Sequence, residues 1–246
     1  MNRKSQFSYL CNACGQCCHN KVITLSPYDV LRLARVAGIT TREAIDRFTI
    51  RRGSILKFRD GGACTALEGV RCGVHRGRPL ACRLYPLGIE RIKDGDAEKF
   101  VMLEPAVGSL GVYGIDGSVN YFLAAEGVGS YLEANTRYAS LLAVFRERIA
   151  ATVDLDRIEL REFWRRAARE ALAESNYDAN PLIDAMFDAG GAGGVRIDDA
   201  EIIAAHIQLL EELIRRESNA ALLAAAAVML AVSIGYTPHE LQRASF

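Results

Sequence analysis

Cys11-Asn-Ala-Cys14-Gly-Gln-Cys17-Cys18 decides how the first third of this chain folds. Four cysteines fall within eight residues, set apart by two-residue spacers and ending in an adjacent pair. Such spacers let a tight backbone loop turn successive sulfurs toward one centre, and Gly15 suits the positive φ that these loops often need. A thiolate is a soft anionic donor, suited to zinc and to iron–sulfur clusters. Adjacent side chains diverge, so the Cys17-Cys18 pair rarely serves one small mononuclear site. It points to two metals, to a polynuclear cluster, or to one ligand beside a supporting or redox thiol.

Working outward, Cys64, Cys72 and Cys82 form a second set, in a loop-rich stretch with Gly69, Gly73 and Gly77. All seven cysteines lie between positions 11 and 82, and the remaining two thirds of the chain has none. Free cysteines are often buried packing groups, but packing alone would scatter them. Structural zinc saturates at four ligands, so seven thiols suit two sites or one cluster with spare thiols better. The Cys11–Cys17 spacing also matches the opening of a bacterial ferredoxin cluster motif. The candidate metal ligands are therefore Cys11, Cys14, Cys17, Cys18, Cys64, Cys72 and Cys82. His75, three residues after Cys72, is a further candidate, and His19 a weaker one. His206 and His239 lie far from any thiol and read as structural or exposed. The cofactor expected is an iron–sulfur cluster, of the 4Fe–4S type, or zinc. No catalytic residue is assigned.

The chain has 246 residues, half of them apolar, with 30 basic and 30 acidic side chains. The balance hides a split. Residues 1–93 carry 17 Lys/Arg against 6 Asp/Glu, and residues 94–246 carry 13 against 24. The cations lie with the cysteines, where they offset metal-bound thiolates or pair with the acidic half. No aromatic-and-basic motif supports nucleic-acid binding, so none is expected, and the partner is an unknown protein or small molecule. Met1 to Asn20 has no apolar core of a secretory signal. A cytoplasmic location is expected, where clustered cysteines are metal ligands or redox groups more often than disulfides.

The punctuation predicts an α+β fold: a small Cys-rich domain of short helices and a β-hairpin over 1–150, then a helical C-terminal region over 151–246. Ser26-Pro27 starts a helix that stops at Gly38. Thr40 and Glu43 make a capping box for a second, reaching about Phe48. Ser54–Arg59 reads as a strand, and Gly88–Lys93 with Ala97–Glu104 as the hairpin. Helices are expected at about 118–125, 129–150, 156–175, 181–189, 199–216 and 219–234, with cap-plus-Pro starts at Asn180-Pro181 and Thr237-Pro238. Trp164 reads as core. Asp198-Asp199 reads as a helix N-terminus answering the dipole. Gly111–Gly117 matches no phosphate or dinucleotide fingerprint and reads as a plain loop. Ala220–Tyr236 is apolar but short for a membrane span, and reads as a buried helix.

These residues resemble the YkgJ-type Cys-x2-Cys-x2-Cys-Cys family of zinc- or iron-chelating proteins. The resemblance rests on Cys11 to Cys18, on Ile23-Thr-Leu-Ser-Pro-Tyr-Asp29, on Cys64-Thr-Ala-Leu67 and Cys72-Gly-Val-His75, and on Arg78-Pro-Leu-Ala-Cys82-Arg-Leu-Tyr-Pro86. It covers about residues 9–145. It implies metal binding by the cysteines, often as an iron–sulfur cluster, with Arg83 a candidate to lie beside the ligands. Some relatives are described as flagellin lysine N-methylases, which implies methyl transfer onto protein lysines. Relatives often carry an eighth cysteine where Gly108 to Gly117 has none, so His75 or water would complete a scheme of two fours. The functional expectations are an iron–sulfur protein with a redox, radical or methyl-transfer role, a zinc module without catalysis, or a protein-lysine methyltransferase.

Overall fold

The computed structural model describes residues 1–51, 53–90, 98–153, 159, 162–163, 165–166 and 198–236. Strand β1 is Gln6–Leu10. Helix α1, Pro27–Ala37, begins at the expected Ser26 cap with Pro at its first position and ends at Gly38, φ 67°. Helix α2, Thr41–Phe48, carries the expected Thr40/Glu43 capping box. The strand expected over 54–59 shrinks to a two-residue pair, β2 (Thr49–Ile50) with β3 (Ile55–Leu56). The cause lies in the backbone partners: the amides of Leu56, Lys57 and Arg59 donate to Ile23, Phe48 and Ala63, three different segments.

Strands β4 (Leu67–Glu68) and β5 (Arg71–Cys72) form a short hairpin. Helix α3 is Leu80–Leu84. Strands β6 (Leu87–Glu90) and β7 (Lys99–Met102) pair as the expected hairpin, while its turn lies outside the described residues. Strand β8, Val112–Ser118, pairs antiparallel with β1, so the stretch expected to be a loop is a strand. Its glycines make room for β1 side chains. A Cβ on Gly111 would sit 2.4 Å from the Tyr9 ring, and one on Gly114 2.6 Å from Ser8 Oγ. In a strand, Gly marks such a close approach, which resembles a loop signal in sequence.

Helix α4 is Val119–Ala125. The single helix expected over 129–150 is two, α5 (Gly129–Ala139) and α6 (Leu141–Thr152). Between them the Ser140 hydroxyl donates to the Arg137 carbonyl at 2.7 Å, a local bond that competes with the helix ladder. Helix α7 is Asp199–Arg216 and α8 is Ala220–Ser233. Asp198 caps α7 as expected. No described helix is long and apolar enough to cross a membrane. The helices expected over 156–175 and 181–189 lie largely or wholly outside the described residues, as do Trp164, His239 and the caps at 180 and 237.

Small antiparallel ribbons beside packed helices make the fold α+β. Helix α1 is its hinge pin, because its two sides face different cores. Val30, Leu33 and Ala34 pack with Leu25, Phe48, Leu56 and the cysteine segment. Tyr28 and Leu31 pack with α5, α6, α7 and α8 through Tyr131, Phe145, Ile202 and Leu230. A third core joins Phe7, Leu87, Phe100 and Phe122. Asp199 at the start of α7 pairs with Arg32 (2.7 Å) and with Arg35, tying the helices to α1.

Candidate metal centre

Backbone hydrogen bonds bring the two cysteine sets together. The Cys64 amide donates to the Cys18 carbonyl at 2.8 Å, and the Asn20 amide to the Gly62 carbonyl at 2.9 Å. An isolated bridge between His19 and Ala63 lies among them. This short antiparallel seam sets Cys18 beside Cys64. The β4–β5 hairpin then folds back, with Cys72 opposite Leu67. Its tip meets the first loop: a Cβ on Gly15, whose φ is 73°, would lie 3.1 Å from the Val70 carbonyl oxygen. Gly15 is thus required twice, by conformation and by contact.

Cys82 arrives on α3. The preceding segment presses on α1, since a Cβ on Gly77 would come 2.3 Å from the Arg32 carbonyl oxygen. Pro79, the N-cap of α3, offers no side-chain cap. Asp29 supplies one from 51 residues upstream, its Oδ1 accepting the Leu80 amide at 2.7 Å. Its Oδ2 accepts the amide and hydroxyl of Ser26, each at 2.7 Å, in the α1 capping box. The residue is 2% exposed. Burial pushes its carboxyl up, opposed by Ser26, Leu80 and Arg83. Arg83 donates to the carbonyls of Arg78 (3.1 Å), Glu126 (2.6 Å) and Arg76 (2.5 Å) and covers the Tyr131 ring. It braces the loops around α3.

Five thiols feel one another. Cys17 accepts a hydrogen bond from the Cys18 thiol, which pulls Cys17 down to about 6, with help from Lys21 and Arg78. The same bond, then burial and the neighbouring sulfurs of Cys17, Cys82 and Cys72, push Cys18 up. Burial pushes Cys64, Cys72 and Cys82 up, and each is raised further by other cysteines of the group. Cys14 stands at the edge. Its sulfur accepts the Leu110 amide at 3.5 Å, which lowers its pKa. Cys11 is exposed and accepts from the Ala13 amide at 3.4 Å. Asn12 Nδ2 donates to the Leu110 carbonyl at 2.8 Å, fastening this loop to the residues before β8.

The donor set suits zinc or iron in type: thiolate sulfur, soft and anionic. Among the described residues, no group of three or more His, Cys, Asp or Glu is drawn together into a ready-made ion site. The histidines stay aside. His19 Nδ1 is 3.1 Å from the Gly15 carbonyl oxygen, and His75 is exposed with Nδ1 3.1 Å from Arg78 Nη1. His206 is buried, 2.8 Å from the Tyr138 hydroxyl, the structural role expected of it. Sequence reasoning missed Leu110 and the reach of Asp29 to Leu80. The first had no signal; the second was visible only as a helix cap.

The α+β frame carries its seven free cysteines on three separate segments. Residues 10–103 match the model of the CxxCxxCC family, described as "Putative zinc- or iron-chelating domain". No curated protein and no solved structure matches the chain.

Proposed function

We propose that the chain binds zinc or iron through cysteine thiolates. Cys17, Cys18, Cys64, Cys72 and Cys82 form the core, and Cys14 and Cys11 complete it from the entry loop. The observation that carries this reading is the backbone seam that sets Cys18 beside Cys64, with Cys72 folded back on the hairpin whose tip meets the first loop at Gly15. Thiols held protonated by burial become strong donors once a cation displaces the proton, because a coordinating thiol is deprotonated outright. Lys21 and Arg78 near Cys17 offset the charge of the thiolates. The metal chemistry belongs to residues 1–150, and 151–246 form a helical region whose described part braces α1.

Seven cysteines exceed the four that one tetrahedral zinc takes, which favours a polynuclear centre and, with iron, an iron–sulfur cluster. Amide donors such as Leu110 to Cys14 would tune its potential, and a redox role follows from that form. Methyl transfer rests on the family resemblance alone. The test is anaerobic purification, with iron, zinc and sulfide measured per chain and the visible spectrum recorded. Iron with sulfide and a brown colour lost in Cys17→Ser supports the cluster. Stoichiometric zinc without colour supports the chelating module alone. A protein that retains neither metal, and takes up none when reduced, overturns the proposal.

A further inference from the structure

One buried carboxylate caps two helices. Asp29 closes the α1 capping box through Oδ2 and caps the first amide of α3 through Oδ1, both at 2.7 Å. Helix α3 has five residues and no cap of its own. So short a helix does not hold its first turn unaided. Cys82 is its third residue, two residues from the amide that Asp29 holds. Arg83, on the same turn, grips three carbonyls, those of Arg78, Glu126 and Arg76. Cys82 therefore takes its direction from α1, not from the cysteine loops with which it shares electrostatic influence.

We propose that Asp29 is the positioning residue of the metal centre: it sets the direction of Cys82 by fixing the start of α3. This rests on the metal-binding reading above. Asp29 itself is no ligand, since its oxygens are occupied by Ser26 and Leu80. Outer groups that orient ligands are worth about 10- to 100-fold in metal affinity.

Asp29→Asn keeps the size and turns one acceptor into a donor that faces amides, so one of the two caps is lost. Three measurements follow. In metal-free protein, iodoacetamide labelling read by peptide mass spectrometry reports each cysteine. Cys82 should react about tenfold faster or more in D29N, with Cys72 unchanged; a general loosening would speed both. Zinc affinity, by competition with a chromophoric chelator, should fall about 10- to 100-fold. D29N/C82S should bind no more weakly than C82S, because the two changes remove one contribution. Because the Asn oxygen can stay on Leu80 and give up the Ser26 cap instead, Leu80→Pro is made in every case: it removes the donated amide at a helix position that accepts proline, and Leu80→Ala controls for the lost side chain. L80P should expose Cys82 and L80A should not. Cys82 labelling in folded L80P no faster than in L80A, equal acceleration of Cys72, or losses that multiply in the double variant would overturn the inference. A wild-type chain that binds no zinc would overturn the metal reading, while the labelling arm would still decide the role of Asp29.

Discussion

Replacing Asp199 by Ala removes the counter-charge shared by Arg32 and Arg35. The carboxylate lies 2.7 Å from Arg32 Nη1 and also pairs with Arg35 Nε. The side chains of Arg32, Arg35 and Asp199 are 28%, 10% and 17% exposed, so these ion pairs are only partly reached by water. Removing one member of a buried ion pair costs about 3–5 kcal/mol. The lost anion at the first turn of α7 adds up to about 1 kcal/mol. At roughly 2–4 °C per kcal/mol for a chain of this size, Tm should fall on the order of 10 °C. Thermal melts by circular dichroism, with urea titrations to check an unchanged m value, measure it. A drop under about 2 °C would show that the α1–α7 junction is held by apolar packing alone, and would refute the reasoning.

Raised thiols make the metal-free protein sensitive to alkali. Cys64, Cys72 and Cys82 have folded values above the ordinary thiol range of about 8.5, because burial favours their neutral forms. Their contribution is complete below that value and is lost as pH rises toward the folded values. Tm of metal-free protein should fall between about pH 8 and 10, and a flat profile would count against the burial. Cys17, held near 6 by the Cys18 thiol, should be the first cysteine alkylated at pH 7, and Cys18→Ala should slow it about tenfold or more. Gly77→Ala forces a Cβ to 2.3 Å from the Arg32 carbonyl oxygen, so denaturant melts should show a loss of at least about 1–3 kcal/mol; no loss would mean the 75–80 segment shifts freely. Tyr138→Phe takes the phenol from buried His206 and should cost about 1–3 kcal/mol in the same melts.

Local signals in the sequence were reliable because their causes are local. Ser26-Pro27, Gly38, Thr40/Glu43 and Asp198 each act within four residues, and each cap sits where the pattern puts it. The cysteine spacings match the chelating-domain family model for the same reason. What stayed hidden depends on partners distant in the chain. Gly111 and Gly114 resemble loop glycines until Tyr9 and Ser8 lie across them. Ile55–Leu56 stays short because its neighbours serve other segments. Asp29 announces one helix and holds a second, and nothing in the pattern around it points to Leu80.

The β1–β8 ribbon sets a limit on how the cysteine segment can be handled apart from its chain. The family match ends at residue 103, whereas the partner of β1 begins at Val112. The Asn12 side chain is fastened to Leu110, and the core on the Tyr28–Leu31 side of α1 is built mostly of residues beyond 128. Cut at the family boundary, residues 10–103 would bare an apolar helix side and strip the entry loop of its anchor. The segment is therefore not a portable cassette. To work in a foreign host protein it would need a substitute for each of those surfaces.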